Sequence, residues 1–233
     1  NMGKLDTYKE ISTKLALAKG LTDEEAKKLA NEGKAVVYID GGLHATECAP
    51  AQHNIQIAYD LITDEDPMTL GILENVILLL VFANPDGMQL LADWYHPNVG
   101  TAYEVSRMPW VYNKYVGHDN NRDSYMQNMK ETQHMTLLSA DWHPQVVFNH
   151  HQTAPFPTRI WIHPAAEPVM ANIHPLVVRW QNLLGCAQGN LFDRRDQPGA
   201  ISRYLFDTWY PGYVANAVDS RNMISLLTET ALY

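Results

Sequence analysis

The longest unbroken apolar run in this chain of 233 residues, at 76–83, is about half of what a membrane-spanning helix needs. It reads instead as a buried strand, and it closes on the turn cluster Asn84-Pro85-Asp86-Gly87. Short runs of the same kind recur at 35–39, 144–151, 159–163 and 224–228. Between them lie stretches of helical spacing. Ile11, Leu15, Leu17, Ala18, Leu21, Ala26 and Leu29 mark two amphipathic helices over 8–31, broken at Gly20-Leu21-Thr22. Thr22 followed by Glu25 is a capping-box pattern that opens the second, and Gly33 closes it. Residues 46–62 and 169–188 read as further helices, and 84–124, rich in Trp, Tyr, Pro, Asn and Gly, as a long ordered loop region. Helices alternating with strands predict an α/β fold, a three-layer α/β/α arrangement with a mixed, mainly parallel central sheet, spanning 1–233 as a single domain. Ligands of such sheets bind at the carboxyl ends of the strands. The polar clusters there are 40–47, 84–87, 149–152 and 228–230.

Composition removes several alternatives. Hydrophobic residues make up 46% and charged residues 18%, and 13 Gly and 13 Pro are scattered, so disordered and collagen-like readings fail. A net charge of −9 argues against a nucleic-acid or anionic-membrane partner. Cys48 and Cys186 are too few for a disulfide framework and leave the redox compartment open. The start at Asn1-Met2-Gly3 has no basic-then-apolar leader, which fits a cytoplasmic protein or one whose signal peptide has been removed. No Gly-x-Ser-x-Gly elbow, phosphate loop or His-Glu-x-x-His occurs.

The strand ends carry the chemistry. His44-Ala45-Thr46-Glu47 sets an imidazole and a carboxylate three residues apart, able to reach one metal ion, although composition alone yields His-x-x-Glu about half the time. Gly41-Gly42 lets the chain turn sharply after a strand and present His44 at the sheet edge. In Asn149-His150-His151-Gln152, alternation puts Asn149 and His151 on one face and His150 on the other, so one histidine can face the site. Two histidines and a glutamate form the ligand set of a hydrolytic zinc site, which also wants a base; Glu229, leaving an apolar strand, is placed for that. Asp119-Asn120-Asn121-Arg122-Asp123 offers a guanidinium beside an amide, suited to gripping a carboxylate. Cys48, about 100° round a helix from Glu47, reads as packed core. Of the other histidines only His118, beside Asp119, lies near these clusters.

Taken in order, Gly41-Gly42-Leu43-His44-Ala45-Thr46-Glu47, Asn84-Pro85-Asp86-Gly87, Asp119-Asn120-Asn121-Arg122, His151 and Thr228-Glu229 resemble the zinc carboxypeptidase family, carboxypeptidase A-like and of the peptidase M14 type. The resemblance implies one zinc ion per chain held by His44, Glu47 and His151, with Asp119 orienting His44. It implies Asn121 and Arg122 as binders of the substrate's terminal carboxylate and Glu229 as general base and later proton donor. Arg107 is the expected cation beside the oxyanion. The family's mobile tyrosine falls on Tyr210 or Tyr213, with Tyr213 preferred. Thr46 stands where pancreatic-type members carry Arg, and Asp123 where the family has Asn. The expected activity is hydrolysis of the C-terminal amide bond of peptides, often in a secreted or periplasmic protein. The alternatives are a zinc deacylase of the succinylglutamate desuccinylase or aspartoacylase type, acting on small acyl-amino acids, and a non-catalytic zinc-binding relative. Ala217, Val218, Asp219 and Arg221 are candidate floor residues of the side-chain pocket. The stop four residues after Glu229 predicts a native polypeptide longer at one or both ends.

Overall fold

The computed structural model describes residues 2–113, 116–153 and 158–232. Helices α1 (Leu5–Leu17) and α2 (Asp23–Glu32) lead into strand β1 (Ala35–Gly41), followed by α3 (Cys48–Thr63), α4 (Pro67–Asn75) and β2 (Val76–Phe82). Then come α5 (Pro85–Tyr95), α6 (Lys130–Trp142), β3 (Val146–Thr153), β4 (Ile160–Trp161), α7 (Pro175–Arg194), β5 (Ala200–Ile201), α8 (Val214–Asp219) and β6 (Ile224–Ala231). No helix among the described residues is long and apolar enough to cross a membrane.

The strands form a six-stranded sheet in the order β2-β1-β3-β6-β4-β5. All neighbours are parallel except β4, which runs antiparallel to β6. This is the expected mixed, mainly parallel α/β sheet. Tyr38 and Val147 on one face pack with Met135 of α6 and with Val214 and Val218 of α8, while Val36 and Ile77 pack against Tyr8 of α1. On the opposite face the ring of His150 meets His53 of α3 at 4.6 Å. Helices thus cover both faces, because a parallel sheet must bury both.

Local chemistry explains most boundaries. The Thr22 side chain accepts from the Glu25 N–H while the Glu25 carboxylate accepts from Thr22, the expected capping box. The segment after β2 differs from expectation. Asn84-Pro85-Asp86-Gly87 opens a helix rather than a loop, because the Asn84 side chain accepts the Gly87 N–H and Pro85 sits at the first helical position. In the same way His174 and Pro175 set the start of α7 later than the apolar pattern suggested.

The end of β1 and the start of α3 approach very closely. A Cβ added to Gly41 would lie 2.2 Å from the Pro50 carbonyl oxygen. Gly41→Ala is therefore expected to push the first turn of α3 away from the sheet and to destabilise the fold by about 1–3 kcal/mol, read as a lower urea midpoint. An unchanged midpoint would show that this packing is looser than described.

Candidate metal centre

β1 delivers His44 through a turn made possible by Gly42, whose φ is +78°. The backbone just before it is fixed by two buried amides, since Asn84 Nδ2 and Asn120 Nδ2 both donate to the Leu43 carbonyl, at 3.3 and 2.6 Å. Glu47 follows at the N-cap of α3, its N–H bonded to the His44 carbonyl at 2.9 Å. Their side chains meet, with His44 Nδ1 2.6 Å from Glu47 Oε1.

Alternation along β3 buries Asn149 and His151 and turns His150 to the α3 side. His151 Nδ1 lies 3.0 Å from Glu47 Oε2 and 3.2 Å from His44 Nδ1. Ligand atoms of His44, Glu47 and His151 all fall within 4.8 Å of one another. On the far side of His44, Nε2 pairs with Asp119 Oδ1 at 2.8 Å. With the Nε2 proton held by Asp119, Nδ1 is the nitrogen that would offer its lone pair to a metal ion displacing the Nδ1 proton. Two imidazole nitrogens facing one another across a carboxylate form a donor set that fits zinc.

The parallel register of β3 and β6 sets Glu229 beside His151. Glu229 is buried, and its Oε2 has no hydrogen-bond partner among the described residues. Across from it, Arg122 lies with its guanidinium carbon 4.7 Å from the Tyr213 ring centre. His44, Arg122, Tyr213 and Glu229 line one cavity of about 270 Å³ at the carboxyl ends of the strands.

A sequence model of the family described as zinc carboxypeptidase matches residues 11–163. The chain belongs to the zinc carboxypeptidase family. Similar solved structures include a Shewanella denitrificans protein assigned as a carboxypeptidase A, at 13% identity and a TM-score of 0.62 over 85% of this chain and 48% of that one. Another is carboxypeptidase A from Helicoverpa armigera, at 15% identity and a TM-score of 0.59 over 100% of this chain and 73% of that one. A third is a Pseudomonas aeruginosa metallo-carboxypeptidase in complex with (2-guanidinoethylmercapto)succinic acid, at 13% identity and a TM-score of 0.59 over 84% and 48%. At such identities the likeness shows the fold, and this chain spans about half the length of the two bacterial structures. No curated protein matches the sequence significantly.

In this zinc carboxypeptidase-family chain the electrostatics follow from burial and pairing. Burial works against a charged His44, but hydrogen bonds and charges from Asp119 and Glu47 outweigh it and lift its pKa to about 9. Burial likewise opposes ionised Glu47, while His151 and His44 pull its pKa down to about 2. Asp119 is also held at about 2, burial being overcome first by its hydrogen bond to His44. Glu229 goes the other way: burial and then the Glu47 charge raise it to about 8, against the pull of His44 and Arg122. Beneath the site Asp40 is fully buried, accepts from Asn149, and is pushed by burial to about 7.

Several expected neighbours lie elsewhere. Arg107 is exposed and is not among the residues lining the cavity. Asn121, by contrast, does line the cavity, with its Oδ1 accepting the Val214 N–H at 2.9 Å and its Nδ2 lying 3.4 Å from His151 Nε2. His118 pairs with Asp123 at 2.7 Å, away from the cluster, and Asp123 is a buried acid that also accepts from Met129 and Thr132. Cys48 is exposed rather than packed, since α3 presents its first residue to solvent. Ala217, Val218, Asp219 and Arg221 are not among the residues that wall the cavity. Val218 lies in the core, and Asp219 accepts from Gln181 and Ser225. Trp161, His163, Phe206 and Thr208 supply that wall instead. Trp161 is there because the antiparallel pairing of β4 with β6 puts it opposite Glu229; the signal in the sequence was the 159–163 run, whose orientation depends on that distant pairing. A larger cavity of about 680 Å³, among residues of α1, α6 and the loop before β6, is remote from this chemistry.

Metal analysis of the purified chain should find zinc, lost in His151→Ala and kept in His150→Ala, whose ring packs against Phe148 and His53 instead. Loss on His150→Ala alone would contradict the geometry.

Proposed function

We propose that this chain is a zinc-dependent metallocarboxypeptidase that hydrolyses the C-terminal amide bond of peptides. The observation that carries the reading is Glu229, a buried carboxylate whose Oε2 has no hydrogen-bond partner among the described residues, which lines one cavity together with Arg122 and with His44 of the His44, Glu47 and His151 cluster. A single zinc held by those three residues would acidify a water and polarise the scissile carbonyl. The protein's own groups supply the remainder.

Arg122 is the guanidinium facing the cavity, held by its Nη1 bond to the Asn121 carbonyl at 2.8 Å and stacked on Tyr213. It would take the carboxylate that marks a peptide's C-terminus. Asn121, on the same cavity, would support this by tying α8 to His151. Glu229 would take the proton of the attacking water at Oε2 and return it to the leaving amine. Its raised pKa suits a group that must both accept and donate near neutral pH. Asp119 would keep the His44 ring oriented. Arg107, exposed and away from the cavity, has no part in this reading.

Glu229→Gln should keep the metal and lose at least about a hundredfold in kcat. In the parent, turnover should climb with pH as Glu229 deprotonates and level off no higher than about 8, since a bound cation opposes the upward push of burial and of the Glu47 charge. An unchanged rate in Glu229→Gln would remove Glu229 from the mechanism. Turnover of N-acyl amino acids with no peptide cleaved would replace the carboxypeptidase reading with a deacylase one.

A further inference from the structure

Each of four consecutive β3 residues is engaged by a side chain from another element. Asn149 donates to Asp40, His150 Nδ1 lies 2.9 Å from Thr228 Oγ1, and His151 meets Glu47. Gln152 makes three hydrogen bonds. Its backbone N–H donates to Glu47 Oε2 at 2.9 Å, its side-chain Oε1 accepts the Ala49 N–H at 3.1 Å, and its Nε2 donates to the Ala231 carbonyl at 3.3 Å.

The start of α3 explains why that matters. An N-cap side chain ordinarily accepts the N–H of the second or third helical residue. In α3 the third is Pro50, which has no N–H, and the second is Ala49. Glu47 occupies the N-cap position yet makes no capping bond, because its carboxylate is turned to His44 and His151. The Ala49 N–H would then be left to compete for that carboxylate. Gln152 takes it instead, from a neighbouring strand.

We propose that Gln152 is a positioning residue for the metal-binding carboxylate, capping α3 from β3 so that Glu47 stays aimed at His44 and His151. The bond from its own N–H fixes Oε2 of Glu47 directly, and the bond to Ala231 ties the same side chain to the strand that carries Glu229. This rests on the reading that His44, Glu47 and His151 hold zinc.

The test uses Gln152→Met, equal in length but without an oxygen acceptor or an N–H donor, and Gln152→Glu, which keeps an oxygen acceptor at the positive end of α3. Zinc affinity is measured by chelator competition at a temperature where each variant is folded, so that lost stability alone does not move it. Gln152→Met is expected to bind zinc about tenfold or more weakly, with Gln152→Glu within about threefold of the parent. In the metal-free chain, hydrogen exchange at the Ala49 amide should quicken in Gln152→Met and not in Gln152→Glu. If Gln152→Met does not fold, Gln152→Asn, too short to reach Ala49, replaces it with the same expectation. Zinc affinity within about twofold of the parent in the variant without an acceptor, or equal losses in both variants, would overturn the proposal. Unchanged Ala49 exchange would overturn the cap whatever the metal does. A parent chain that binds no zinc would instead bring down the zinc reading on which the proposal rests.

Discussion

The Glu47 carboxylate, wedged between two imidazoles, is the constraint on which the rest of the site depends. Its oxygens lie 2.6 Å from His44 Nδ1 and 3.0 Å from His151 Nδ1. These three side chains come from the turn after β1, the cap of α3 and the end of β3. A buried charge is tolerated only where partners compensate it. The convergence therefore demands that three elements hold their relative positions. The close approach of Gly41 to Pro50 and the two amides on the Leu43 carbonyl meet that demand.

Around this cluster the protein separates two carboxylates by environment. Glu47 has imidazole neighbours and stays ionised, whereas Glu229 has burial and a nearby negative charge and is held toward its protonated form. Such a division lets two carboxylates of one site take different protonation states at the same pH. Arg122, on the same cavity, offers the only kind of charge that a peptide's free carboxylate would seek.

What the sequence disclosed was whatever depends on neighbours in the chain. The apolar run at 76–83 became β2, the Thr22 and Glu25 pair became a cap, and alternation sorted His151 from His150. Helix α6 was hidden because its buried side is partly polar, with Thr132 and Ser139 beside Met135, so no apolar stripe marks it. Helix α5 was hidden because Asn84 and Pro85 also read as a turn. The pocket wall escaped because Trp161 reaches the site only through the pairing of β4 with β6 across a long separation in the chain. Gln152 was visible as a strand-end polar residue, but its three bonds reach α3, Glu47 and β6, none of them near it in sequence.

The central claim is that His44, Glu47 and His151 bind zinc. Anomalous diffraction at the zinc edge, from crystals of the zinc-loaded chain, tests it most directly. One peak is expected, about 2.0–2.2 Å from His44 Nδ1, a Glu47 oxygen and His151 Nδ1. A zinc peak bound through His150 or His53, or none at this cluster, would contradict it.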